Sequence, residues 1–181
     1  LLGIASIQGD GLEQRVHPCM VPVDTPIAHV SGSLNAVVAD GDFVGTIVHE
    51  GPGAGAGPTS SAVAADLVDI ARGLKVPTFG VPAGQLKSLS PVPLQDHKGA
   101  YFIRLMVVDK PGVFADIAAV LRDHAVSMES VIQRTRDPGE PVPVVMTMHD
   151  TVEASMTRSL EEIAAVDAVV EAPRMIRIES L

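Results

Sequence analysis

Apolar and polar positions fall into two different textures along the chain. In the first part, short apolar runs are cut by turns. Residues 2–7 read as a strand and residues 15–17 as a second, shorter one. Residues 35–38 run into Asp40-Gly41-Asp42, a hairpin-type turn, and residues 43–49 resume as strand. A glycine-rich segment, residues 51–57, leads into a helix in which Val63, Leu67 and Ile70 recur at i, i+4 and i+7 as one stripe. Pro58 suits the first turn of that helix, where its missing N–H would be unpaired anyway. Arg72 suits its last turn and Gly73 its end.

The second texture is more regular. Residues 101–108 predict a strand, and Asp109-Lys110-Pro111-Gly112 a turn. Val113, Phe114, Ile117, Val120 and Leu121 then share one helical face. Residues 128–134 predict a second strand, residues 137–140 a turn, and residues 142–148 a third strand with Val142, Val144, Met146 and Met148 alternating. Met156, Leu160, Ile163 and Ala164 mark a second helix, and residues 169–178 a last strand bent near Pro173. The order β-α-β-β-α-β over residues 99–181 predicts a ferredoxin-like arrangement, a four-stranded antiparallel sheet with both helices on one face. Between the two textures, residues 77–98 hold Pro77, Gly80, Pro82, Gly84, Pro91 and Pro93 and read as a semi-rigid linker. The expected organisation is therefore one domain over residues 1–76, a linker over 77–98 and a second domain over 99–181, in the α+β class.

Composition narrows the function classes. The 181 residues suffice for one large or two small domains, and 46 % are hydrophobic, so core material is ample. Aromatics are 3 % with no Trp, which leaves Val, Ile, Leu, Ala and Met to build the core. A formal charge of −9 repels phosphate backbones and argues against nucleic-acid binding. Cys19 is the only cysteine, so neither an intramolecular disulfide nor a zinc cage of paired cysteines can form, and a reducing cytoplasm fits best. No apolar run approaches the roughly 20 residues of a membrane span, and no signal-peptide pattern opens the chain. The opening Leu1-Leu2-Gly3-Ile4-Ala5 has the texture of mid-domain sequence, so an N-terminal portion is expected upstream.

Two segments carry candidate chemistry. The loop Gly51-Pro52-Gly53-Ala54-Gly55-Ala56-Gly57 lies between strand and helix, where free N–H groups and the helix dipole attract anions. Its G-x-G-x-G-x-G spacing departs from the G-x-G-x-x-G dinucleotide fingerprint and lacks a P-loop lysine, so a plain turn and a nucleotide contact both stay open. Asp109-Lys110-Pro111-Gly112 offers the N–H groups of Gly112 and Val113 to a carboxylate; an ordinary strand-to-helix turn is the alternative. His17-Pro18-Cys19 lacks a second ligand pair for a metal, and the six histidines are scattered singly. Ser60 and Ser61 open a helix, where capping is the default. Glu13, Glu161 and Glu162 read as solvated positions. No residue reads as a general acid or base, and neither a catalytic nor a metal residue is assigned.

Ordered blocks in the first part, Val16-His17-Pro18, Val21-Pro22, Ser31-Gly32-Ser33-Leu34-Asn35-Ala36-Val37, Gly41-Asp42, Gly51 to Gly55 and Thr59-Ser60-Ser61-Ala62-Val63, resemble the end of the homoserine dehydrogenase catalytic domain. Val108-Asp109-Lys110-Pro111-Gly112-Val113-Phe114-Ala115, with Ile117, resembles an ACT domain. The resemblance implies a mixed-sheet remnant of the catalytic domain followed by a βαββαβ ACT domain. It implies an oxidoreductase of threonine and methionine biosynthesis that reduces L-aspartate 4-semialdehyde to L-homoserine with NADP or NAD. The nucleotide fold and catalytic lysine would lie upstream, so this segment alone is expected to be inactive. It further implies Gly53 and Gly55 beside the cofactor, and Asp109, Gly112 and Val113 at an amino-acid effector site completed by the facing strand at Ile132. Threonine is the expected effector and a dimer or tetramer the expected assembly. The alternative from the same residues is an amino-acid-sensing module on an N-terminal oligomerisation platform, with no catalysis.

Overall fold

The computed structural model describes residues 1–180. The chain divides into two compact units that do not follow chain order: Val21–Ser88 forms one, while Leu1–Met20 joins the chain from Leu89 onward in the other.

The larger unit opens with a hairpin, β1 (Leu2–Gln8) and β2 (Gly11–His17). Its two-residue loop places Gly9 at φ +58°, the tight connection that right-twisted strands accept. That turn lets β2 begin at Gly11, earlier than the residues 15–17 expected. A two-residue strand, β3 (Cys19–Met20), follows.

In the smaller unit, β4 (Leu34–Gly41) and β5 (Gly45–Pro52) form a second hairpin, with Gly41 opposite Gly45. Residues 42–44 form a three-residue loop closed by Gly45 at φ +68°. The turn therefore falls later than expected, and Phe43, read as strand, sits fully exposed at its tip. Helix α1 (Ala56–Ala71) follows, closed by Gly73 at φ +70°. No residue of α1 is buried, and its stripe of Val63, Leu67 and Ile70 is exposed.

The segment read as a linker is partly built into the larger unit. A two-residue strand, β6 (Ser90–Pro91), runs parallel to β2, and the Val92 N–H donates to the Leu12 carbonyl at 3.0 Å. A short 3-10 turn over Leu94–Asp96 then delivers a buried His97 to the start of β7 (Lys98–Val108).

From there the chain follows α2 (Val113–Asp123), β8 (Met128–Ile132), β9 (Pro141–Val152), α3 (Glu153–Ile163) and β10 (Arg174–Ile178). The sheet order is β3-β10-β7-β9-β8; each neighbouring pair among its last four strands is antiparallel, and β3 adds parallel to β10. The register pairs Tyr101 with Met148, Ile103 with Met146, Leu105 with Val144 and Val107 with Val142. Residues directly opposite share a face, and these eight side chains are all buried. Val113, Ile117 and Leu121 of α2 and Met156 and Ile163 of α3 complete the same apolar cluster, so both helices cover one face of the sheet. The period of two in the strands and of 3.6 in the helices thus converges on one core. The last strand is shorter than expected. Pro173 has no N–H to give a ladder, so β10 starts at Arg174, and Val169 keeps only an isolated bridge to Val107.

Candidate functional site

The end of β7, the start of α2 and the β8–β9 return enclose an open cleft of about 380 Å³, lined by Asp109, Lys110, Pro111, Gly112, Phe114, Ala115, Arg136 and Pro138. Among these residues, Gly112, the one before α2, has φ +97° in the left-handed region that favours glycine. No side chain caps the first turn of α2, and the Asp116 N–H donates to the Gly112 carbonyl at 3.1 Å. Unpaired N–H groups of a first helical turn, with the helix dipole behind them, favour negative charge.

Asp109 has a different task from the one its position suggests. One carboxylate oxygen accepts the Asp137 N–H at 2.9 Å and the other the Gln133 side-chain amide at 3.4 Å. Its own N–H donates to the Glu140 carbonyl, and its carbonyl accepts the Gly139 N–H. Asp109 therefore braces the β8–β9 return over the cleft and carries Arg136 to its rim. The cleft then offers two cations, Lys110 and Arg136, against a carboxylate whose two oxygens are already engaged. That balance suits a small ligand with a carboxylate of its own.

The expected effector residues separate in the structure. Asp109 and Gly112 line the cleft. Val113 has its side chain in the core, 2 % exposed, and has only its backbone to offer. Ile132 pairs with Val145, which alternates with the core residues Val144 and Met146, so it faces away from the helices and is not among the cleft residues. Arg136 escaped the sequence reading, Lys110 was part of the candidate turn without a role of its own, and Phe114, read on the apolar face of α2 with Val113 and Ile117, is 41 % exposed and lines the cleft instead. Arg136 sits in a turn-like Arg-Asp-Pro-Gly run, and only the long-range bonds of Asp109 bring that turn to α2.

In the smaller unit, Gly53 and Gly55 lie where β5 passes into α1. Gly55 precedes the helix at φ +115°, ψ 160°, a region essentially reserved for glycine, and its carbonyl accepts the Thr59 N–H at 3.1 Å. A Cβ on Gly53 would fall 2.1 Å from the Asn35 side-chain amide. The loop presents backbone and no charged side chain, so these residues could form a wall beside a nucleotide but not the nucleotide site itself.

A third cluster contradicts the reading of Glu13 as solvated. Glu13 is 2 % exposed, and it lies with Arg15, His17, His97 and Glu179 in a buried network. The reading of Glu13 rests on its charge alone; its partners at positions 97 and 179 are too distant in sequence to be read. Among the described residues no group of three or more His, Cys, Asp or Glu could hold a metal ion, and no helix is long and apolar enough to cross a membrane.

Comparison with known proteins matches two segments of the chain. Residues 1–68 match the homoserine dehydrogenase family model, and residues 101–168 match the ACT domain model. The chain joins a homoserine dehydrogenase segment to an ACT domain. It is 37 % identical to the homoserine dehydrogenase of Neisseria gonorrhoeae over 100 % of its own length, and 36 % identical to that of Helicobacter pylori over 99 %. It superposes on the crystal structure of a homoserine dehydrogenase from Thiobacillus denitrificans with a TM-score of 0.86, 38 % identity and 98 % of this chain covered. The chain spans 43 % and 42 % of the lengths of the two sequence relatives and 41 % of the structural one. The α+β class and the ACT fold read from the sequence agree with these matches.

Proposed function

We propose that this chain is the C-terminal part of an NAD(P)-dependent homoserine dehydrogenase, which reduces L-aspartate 4-semialdehyde to L-homoserine, and that its ACT domain binds an amino-acid effector. The observation that carries the reading is the end-to-end match to homoserine dehydrogenases, in which both segments occur in this order in one chain. Gly53 and Gly55 would stand beside the nicotinamide nucleotide, NADP or NAD, as a side-chain-free wall. The exposed stripe of α1 would pack on the nucleotide-binding part, because an apolar helix face of that length needs cover.

The effector site is the cleft at the start of α2. An amino-acid carboxylate would rest on the free N–H groups of α2 and on Arg136. The expected ligand is threonine, the end product whose synthesis the enzyme serves, and the expected assembly a cytoplasmic dimer or tetramer. Calorimetric titration with L-threonine, with the other amino acids as competitors, tests the site. Heat that saturates with L-threonine and disappears in Arg136→Ala is expected; no heat with any amino acid would remove the effector reading. Dehydrogenase assay of the longer chain tests the enzymatic reading separately, and absence of homoserine-dependent NAD(P) reduction there would end it.

A further inference from the structure

Beside its short backbone pairing with β6, the β1–β2 hairpin meets the rest of its unit through charged side chains. Strand β2 sends Glu13, Arg15 and His17 to one face, at i, i+2 and i+4, and leaves Val16 72 % exposed on the other. Glu179 comes up against this face from just beyond β10, and His97 from just before β7. Arg15 donates to Glu13 and bonds Glu179 through two nitrogens, at 2.7 and 3.3 Å. His17 Nε2 lies 2.9 Å from the same Glu179 carboxylate, and His97 Nδ1 lies 2.8 Å from Glu13. Ser6 and Gln8 of β1 donate to the remaining Glu13 oxygen.

None of these residues belongs to the apolar cluster that holds β7, β9, α2 and α3 together. The sheet and its helices have their own apolar core, and the hairpin is attached beside it by these buried ions and by the short backbone pairing of Gly11 and Leu12 with β6. Such an attachment is geometrically exacting: buried charges repay their desolvation only in one arrangement, and losing one partner strands the others. An apolar contact would instead weaken gradually with displacement.

We propose that Glu13, Arg15, His17, His97 and Glu179 form a charge latch that fixes the N-terminal hairpin on the ACT sheet in a single register. The latch releases as a unit, freeing residues 2–17 while the sheet and its two helices stay folded. It makes the hairpin, which matches the dehydrogenase family, a structural appendage of the ACT domain. A shift of β10 or of the start of β7 would then be felt directly by the dehydrogenase segment.

Hydrogen–deuterium exchange read by mass spectrometry on the full chain tests this, comparing the wild type with Glu179→Gln and the milder His17→Gln. Glu179→Gln is expected to speed amide exchange of residues 2–17 by about a hundredfold, the scale set by stranding a buried charge. Exchange in β7, β9 and α2 should stay within about twofold, since their core is untouched. His17→Gln should speed the hairpin by about tenfold, because Arg15 still holds Glu179. Unchanged hairpin exchange in both variants would overturn the latch. So would a rise of equal size in hairpin and sheet, which would make the cluster part of a common core. If Glu179→Gln does not fold, His17→Gln alone decides between these outcomes.

Discussion

Gly112 sits at the junction of the α2 cleft and the core, and replacing it by alanine separates backbone strain from packing. Its φ of +97° lies in the left-handed region, yet a Cβ built on it meets no atom within 4 Å. Gly112→Ala therefore costs nothing in overlap, and the penalty is conformational. Holding an L-residue in a left-handed conformation costs about 1–2 kcal/mol. Removing glycine's extra freedom from the unfolded chain returns about 0.4–1 kcal/mol. The net loss is about 1 kcal/mol, which for a domain of this size lowers Tm by about 4–8 °C. Differential scanning calorimetry measures it, with Gly3→Ala as the control. Gly3 lies in β1 without a positive φ, and its Cβ would make only an ordinary contact with Val16 at 3.7 Å. A Gly112→Ala protein as stable as wild type, or a control that loses as much, would refute the assignment of the strain to this residue.

Tyr101, the only tyrosine of a chain without Trp, is fully buried; burial first, then the charge of the Glu153 carboxylate and its hydrogen bond at 3.0 Å, push its phenol well above the ordinary 10. Its contribution to stability is intact below about pH 10, the unfolded value, and is lost as pH rises from there through the raised folded value, so near-ultraviolet phenolate absorbance should appear only together with loss of the far-ultraviolet dichroism. At the acid end, burial opposes ionisation of Glu179, but the bonds from Arg15 and His17 outweigh it and hold its carboxyl below the ordinary 4.5. That stabilisation is present above the unfolded value and is lost as pH falls below it; urea titrations from about pH 6 to about pH 3 should show a shallower acid limb for Glu179→Gln than for wild type. Ala125 closes α2 at φ 57°, with the Val126 N–H on the Leu121 carbonyl, a helix stop usually made by glycine. Ala125→Gly should raise stability by about 0.5 kcal/mol, the residue of relieved left-handed strain over added chain freedom, read as a higher midpoint in urea.

What the sequence determined by itself is the local, periodic part of the molecule. Val142, Val144, Met146 and Met148 at a spacing of two, and Val113, Ile117 and Leu121 at helical spacing, name their own buried face, because a strand or helix presents the same residues inward whatever covers it. Turn residues were equally legible where backbone geometry demands them, as at Gly73 and Gly112. Tertiary structure alone decided where charge is buried. Glu13, Arg15 and His17 alternate as a solvent-facing strand would, and only the arrival of His97 and Glu179 from distant parts of the chain makes that face an interior. Arg136 reaches the cleft for the same reason, through the bonds of Asp109 to a turn that follows a whole strand later. A polar side chain carries no mark of its partner in sequence, since its burial depends on a counter-charge supplied from elsewhere, whereas an apolar side chain needs only to leave water.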